Sequence, residues 1–484
     1  MAPLDAVPSD SLVADLREAV SPDRVRTEPL ELALYGRDAS LMSGRPAVAC
    51  LPESADEVQA IVATCARHRR PFVARGSGTG LAGGAVPLDE PVVIVMTKLD
   101  RILDIDLDDR VAWVEPGVLN LDLSRVLAPH GLHFAPDPSS QQVCSIGGNV
   151  ANNSGGPHCL AYGVTSAHVL AIEVVLPDGS MAVLGGIDAD PAGYDLRGLF
   201  VGSEGTLGIA TRVAVRLTPN PPAVATLLLD FMATADGAAT VSDIIAAGLV
   251  PAALEMMDAP AVEAVEAFAH AGYPTDAAAV LLVELDGLVD GVDAAVEVIS
   301  RLREANRVRT VRVAADDHER ALLWKGRKAA FGAVARLEPD YYLHDTVVPR
   351  TRLVEVLDKV YEIAARYDIR VVNVFHAGDG NLHPILAFDA RVPGVLDRVH
   401  AAGEEIVQAS LDAGGVLSGE HGIGVEKRDY MPRLFSPVDL ETQDRVRSCF
   451  DPTDLANPGK VIPSGSKCGD LAAGARRVPD GAWV

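Results

Sequence analysis

No run of apolar residues approaches the ~20 needed to cross a bilayer. The first ten residues hold Asp5 and Asp10 and no Lys or Arg, so they do not read as a secretory leader. Positive charge is scarce, with 42 Lys and Arg against 67 Asp and Glu, a net charge of −25. Such a surface repels nucleic acid and anionic lipid, which excludes both as main partners. Cysteine is sparse as well. Cys50, Cys65, Cys144, Cys159, Cys449 and Cys468 are all at least 15 positions apart, so there is no CxxC pair, no iron–sulfur run and no haem-attachment motif. Free, buried thiols are expected, and the chain reads as cytoplasmic.

What the chain does have is length and glycine. Its 484 residues suffice for two or three domains with ample cores. The densest stretch is Arg75-Gly76-Ser77-Gly78-Thr79-Gly80-Leu81-Ala82-Gly83-Gly84, nearly free of side-chain walls and able to turn successive amides toward an anion such as a phosphate. Gly78, Gly80 and Gly83 match G-x-G-x-x-G, the dinucleotide fingerprint, and Phe72-Val73-Ala74 before them reads as a strand. The fingerprint needs a helix next. Here Pro87 and Pro91 stand where the helix should run. A Rossmann NAD site is therefore rejected, leaving a phosphate-cradling loop between two strands or a plain tight turn.

Along the chain, Ser54 and Glu57 form a capping box for a helix with Val58, Ile61, Val62 and Cys65 on one face, ending near Arg70-Pro71. Strands are expected at 72–74, 92–96, 102–106 and 111–115, and a helix at about 119–130. Residues 136–170 read as a structureless glycine- and asparagine-rich segment lining a site. Strands follow at 170–176, 181–184 and 209–217, and Thr218-Pro219-Asn220-Pro221-Pro222 is the clearest linker. Beyond it the expected order is strand (224–230), helix (234–247), strand (280–286), helix (291–305), strand (308–313), a ferredoxin-like pattern. Helices near 316–331, 350–367 and 395–413 continue it. The tail from about 465 reads as frayed.

Chemistry concentrates in two later stretches. His376-Ala377-Gly378-Asp379-Gly380-Asn381-Leu382-His383-Pro384 follows the strand Val371–Phe375. With Asp379-Gly380 as a two-residue turn, His376 faces His383 with Cβ atoms ~5 Å apart, suited to one metal ion. Two unrelated polar histidines are the plain alternative. In Ser418-Gly419-Glu420-His421-Gly422, Glu420 could complete a His₂Glu site with an open position. An extended backbone there would turn His421 to the other face, free to act as a base. The alternative is a solvent-facing loop pair.

Arg75–Gly84, Gly155-Gly156-Pro157-His158-Cys159-Leu160 with Tyr162-Gly163-Val164-Thr165, and Gly202–Gly208 resemble the FAD-binding half of the vanillyl-alcohol oxidase / p-cresol methylhydroxylase flavoprotein superfamily. His376–Pro384, Ser418–Gly424 with Glu426-Lys427, and Asn457-Pro458-Gly459-Lys460 resemble its branch of FAD-linked D-2-hydroxyacid dehydrogenases. The resemblance spans about 45–463 and implies an α+β fold. Its parts would be a two-subdomain FAD-binding domain of p-cresol methylhydroxylase type, a ferredoxin-like cap, and a C-terminal segment returning to the FAD domain. The corresponding boundaries are 1–44 (a helical leader to the domain), 45–219 (FAD domain), 223–419 (substrate or cap domain), 420–464 (returning segment) and 465–484 (tail).

The residues implied to hold FAD are Arg75, Gly76, Ser77, Gly78, Thr79, Gly80 and Leu81; Pro138, Ser139, Gly147, Gly148, Asn149, Asn152, Ser154, Gly155, Tyr162, Gly163 and Val169; Glu204, Gly205, Gly208 and Ile209; and Asn457. Thr79 stands where some relatives carry a flavin-linking His, so non-covalent FAD is expected. The resemblance also implies His376, His383 and Glu420 as ligands of one divalent ion, zinc or manganese. His421 would be the base, Arg327 a binder of the substrate carboxylate, and a hydride would pass to flavin N5. Apolar Leu343 and Ile385 stand where hydroxyglutarate enzymes carry polar groups, favouring a short substrate of the D-lactate or glycolate type. D-2-hydroxyglutarate oxidation and a redox-silent scaffold subunit are the alternatives. Electrons would leave to an iron–sulfur subunit or an electron-transfer protein. A quinone at the membrane surface fits least, and any membrane association would be peripheral, through a partner.

Overall fold

The computed structural model describes residues 10–187, 193–305 and 307–463. The expected frayed tail and Cys468 lie outside them. The described residues divide into two units. One holds the chain up to Gly155, Val164–Pro219 and the residues from Glu420 on; the other holds Gly156–Gly163 and Asn220–Gly419.

The first unit is built on two sheets. The smaller has the order Val25–Arg26, Val48–Cys50, Val92–Val95, Phe72–Arg75. Its last two strands run parallel, as do Val48–Cys50 and Val92–Val95. Ala55–His68 is the crossover helix. Its Ser54 cap accepts from the Glu57 amide at 3.2 Å, and Val58, Ile61, Val62 and Cys65 are buried on the sheet, as the helical spacing predicts. No helix separates Phe72–Arg75 from Val92–Val95, as Pro87 and Pro91 predict. The larger sheet is antiparallel, in the order Ile102–Asp106, Val111–Val114, Ile209–Arg216, Val169–Val175, Met181–Gly185. It has its own core around Phe134, Ile172, Val174, Phe200 and Val213.

Two expectations for this unit need correction. The stretch 136–170 is not structureless. It carries the helices Ile146–Asn152 and Cys159–Tyr162, the latter within the second unit. Gly147 and Gly148 hid the first of these by their poor helix propensity. Packing overrides it, because a Cβ on Gly147 would lie 2.5 Å from Cβ of Pro116. The linker also begins two residues later than expected, since Thr218–Pro219 pairs with Leu132–His133.

The second unit centres on a nine-stranded sheet. Ala223–Phe231 pairs with Ala279–Gly287 over nine residues and with Val308–Val313 on its other side. Ala253–Asp258 lies between Ala279–Gly287 and Arg370–His376. This strand and the helix after it, Ala259–Ala269, have no counterpart in the sequence reading. All six strand residues are buried, so the alternation that marks a half-exposed strand is missing. The helix signal was present in the Asp258 cap, which accepts from the Ala261 amide, and in Pro260 in the first turn.

Candidate functional site

In the first unit a cleft with a cavity volume of about 60 Å³ lies between the two sheets. Its lining includes Arg75 and Gly76 at the end of one strand and Gly147 and Gly148 in the helix Ile146–Asn152. Gly205, Gly208 and Ile209 line it at the start of another strand. Glycine is required here by close approach. A side chain on Gly76 would collide with the Ser145 hydroxyl, which instead caps the helix at the Gly148 amide, 3.3 Å away. Nη1 of Arg75 is buried with no hydrogen-bond partner among the described residues, and burial holds the guanidinium below its ordinary pKa. A glycine-walled cleft lined by a guanidinium with an unsatisfied N–H suits an anionic ligand.

The other FAD candidates divide by role. Asn120 Nδ2 donates to Asn149 Oδ1 at 2.9 Å. Asn152 Nδ2 donates to the His421 carbonyl at 2.7 Å. Asn457 Nδ2 bridges the carbonyls of Gly84 (2.9 Å) and Glu204 (2.7 Å). Glu204 Oε1 accepts from the Ile423 amide at 2.7 Å, and burial pushes this carboxyl above its usual range. These side chains therefore brace the loops rather than line the cleft. Tyr162 belongs to the second unit, where its hydroxyl meets Asp286.

Lys460, which sequence reasoning left without a role, is fully buried. It donates to the carbonyls of Gly83 (2.9 Å), Gly84 (3.2 Å) and Val86 (2.6 Å). Desolvation lowers its pKa to about 8. The Glu420–His421 backbone bends rather than extends, so the expected alternation of faces does not apply. His421 Nε2 lies 3.9 Å from Glu420 Oε1.

The second unit holds the histidine hairpin, in a different register from that expected. His376 pairs with Asn381 and Asn373 with Pro384, so 377–380 form a four-residue loop. A two-residue turn is displaced because Asn381–Leu382 also pairs with Thr346–Val347, and Gly380, at φ +80°, packs on the Val348 carbonyl. The shift keeps parity, so His383 stays on the His376 face as a diagonal neighbour. The ring centroids are 5.1 Å apart with planes at 87°. His376 Nδ1 is 2.7 Å from Glu255 Oε1, and His383 Nδ1 is 3.3 Å from the His344 carbonyl. Nε2 is then the nitrogen each ring would offer an ion.

Arg327 is not an exposed helix residue. It is 1% exposed, and its Nη2 lies 2.6 Å from Glu255 Oε2. Its Nε has no hydrogen-bond partner among the described residues. Asp345, also fully buried, accepts from Ser418 Oγ (2.5 Å) and the Gly419 amide (3.1 Å). It thereby anchors the residue that immediately precedes Glu420 in the chain. Leu343 and Ile385 are directly opposed strand partners and both buried. Glu255 and Asp345 were missed. The available signal was a lone carboxylate in an otherwise apolar run, Leu254-Glu255-Met256-Met257.

Comparison with known proteins agrees with this architecture. Residues 46–185 match the FAD binding domain family and residues 220–461 the FAD linked oxidases C-terminal domain. The chain is 46% identical to the glycolate oxidase subunit GlcD of Escherichia coli, across 97% of this chain and 94% of that one. It is 40% identical to the GlcD subunit of Bacillus subtilis over 89% and 92%. Identity to the D-lactate dehydrogenase of Anaerostipes hadrus is 36% over 89% and 91%. Substrate-bound p-cresol methylhydroxylase shares the fold, with TM-score 0.80 at 18% identity over 94% of this chain and 96% of that one. The chain belongs to the FAD-linked oxidases, with an α+β fold of p-cresol methylhydroxylase type. It is an FAD-dependent oxidoreductase related to glycolate oxidase subunits and D-lactate dehydrogenases.

Proposed function

We propose that this oxidoreductase converts a small D-2-hydroxy acid, D-lactate or glycolate, to the 2-oxo acid. The observation that carries the reading is the His376–His383 pair, edge to face with both Nδ1 atoms engaged. The donor set suits a divalent ion: two imidazoles, with Glu420 as a third ligand following the Asp345-anchored Gly419. Such an ion, zinc or manganese, would supply Lewis acidity at the substrate hydroxyl. FAD, held non-covalently in the glycine cleft because the first loop carries Thr79, would supply the hydride acceptor.

The remaining work falls to the chain's own residues. Arg327, ion-paired to Glu255, offers the substrate carboxylate its unmatched Nε–H. His421 takes the hydroxyl proton. Leu343 and Ile385 present an apolar pair that leaves a second carboxylate unmet, which favours a short substrate over hydroxyglutarate. With no iron–sulfur or haem motif in the sequence, electrons would pass to a protein partner, and the relatives named as subunits support that. No helix among the described residues is long and apolar enough to cross a membrane.

The test is anaerobic mixing of the purified flavoprotein with D- and L-2-hydroxy acids. D-lactate or glycolate should bleach the flavin, and D-2-hydroxyglutarate and the L-acids should do so far more slowly. No bleaching by any of them would favour the redox-silent scaffold. Dyes should then reoxidise the flavin readily and oxygen poorly; peroxide formed at the dye rate would make the protein an oxidase.

A further inference from the structure

Glu255 is fully buried in a strand whose six residues are all buried. It stands directly across the ladder from His376, and directly opposed residues share a face. One carboxylate oxygen is 2.7 Å from His376 Nδ1 and the other 2.6 Å from Arg327 Nη2. Arg327 is itself 1% exposed, on the helix Asp317–Lys328. A carboxylate so placed is not tolerated without compensation, and one guanidinium provides it. Charge balance alone does not require a third partner. The third partner is an imidazole whose neighbour is a second imidazole, and a carboxylate on the distal nitrogen is how metal-binding histidines are oriented.

We propose that Glu255 is a positioning residue. It keeps the His376 proton on Nδ1 and the ring turned so that Nε2 ligates, while its other oxygen forms the ion pair with Arg327. The metal-related part rests on the reading of His376 and His383 as ligands; the tautomer part does not. The Arg327–Glu255–His376 chain thus sets the substrate-binding charge and the metal ligand from one buried group, so that neither can shift alone.

The test uses the full-length, FAD-loaded protein with ¹⁵N-labelled histidine, stripped of metal and then titrated with zinc. In the metal-free wild type His376 should be the Nδ1–H tautomer. The double variant Glu255→Leu/Arg327→Met removes both charges together, which buried pairs tolerate. It should show mixed tautomers and bind zinc 10–100-fold more weakly with flavin content unchanged. Glu255→Asp keeps the charge but shortens the reach, so it should fall between. A wild-type proton on Nε2, or zinc affinity within twofold in the double variant, overturns the assignment. If the wild type takes up no zinc yet the tautomer is fixed and lost as stated, Glu255 stands as the positioning group and the metal reading falls alone.

Discussion

The cleft of the first unit and the histidine hairpin of the second are made in opposite ways. The cleft is defined by missing side chains: Gly76, Gly147, Gly148 and Gly205 leave bare backbone along its wall. Its supporting polar groups, Glu204, Asn457 and Lys460, are spent on main-chain atoms behind the loops. The hairpin cluster is defined by side chains that would be prohibitive to bury singly: Glu255, Arg327, Asp345, His376 and His383. They persist because each finds a polar partner: Glu255 holds Arg327 and His376, Asp345 accepts from Ser418 and the Gly419 amide, and His383 meets the His344 carbonyl. A backbone site of the first kind tolerates change in almost any side chain except an added one. A site of the second kind fails when any one partner is removed.

The sharpest way to break this contrast is His383→Ala. It should abolish metal uptake and turnover while flavin content, read by absorbance per protein, stays at the wild-type level; parallel loss of flavin would show that the two sites are not separable. Next in size is His421→Ala, a side chain of the first unit assigned to chemistry rather than to the cleft. Flavin reduction in rapid mixing should slow by ~10²-fold or more with FAD retained. An unchanged rate places the base elsewhere.

Gly147→Ala probes the other side. The new Cβ must displace Pro116, a strain of about 1–3 kcal/mol and hence roughly 5–150-fold weaker FAD binding, measured by flavin release on dilution. Hydride transfer in the flavin-loaded fraction should be unaltered.

The last effect, on stability rather than on ligand or turnover, concerns Lys460. Its folded pKa, about 8, lies below the ordinary 10.5, so between these values the unfolded chain holds a proton that the native one has lost. Stability should therefore rise with pH across that window, by at most about 3 kcal/mol. Denaturant melts should show wild type gaining on Lys460→Met between pH 8 and 10. A constant difference would mean the ammonium stays charged when buried.

Most of this architecture could be read from the sequence, and the gaps have physical causes. Strong periodicity and caps gave the Ala55–His68 helix and the alternation of strands and helices around Ala223–Val313. Residues without periodicity were lost: Ala253–Asp258 is buried on both faces and presents no alternating signal. The hairpin shows how a wrong register can give a sound pairing. Asp-Gly favours a two-residue turn, but a third strand, Thr346–Val347, captures Asn381–Leu382 and lengthens the loop. Because the slip preserves parity, the two histidines still share a face. Glu255 was invisible for another reason. Its meaning depends on Arg327, 72 positions later, and on His376, 121 positions later, and no local pattern links the three.

The Lys460 clamp also bears on how the protein is made. The carbonyls it holds belong to Gly83, Gly84 and Val86, and Phe72 exchanges main-chain hydrogen bonds with Leu455 and Asn457. At ~5–20 residues per second, the ribosome takes roughly 20–75 s to travel from the first of these segments to the last. Throughout that interval the nascent sheet has an open edge beside Phe72 and a glycine loop without its clamp. If the glycine loop holds FAD as proposed, its clamp arrives only when translation is almost finished, while the strands of the second unit, which emerge in between within Asn220–Gly419, are all available to pair. An N-terminal fragment ending at the linker would carry the glycine loop yet remain a poor flavin binder.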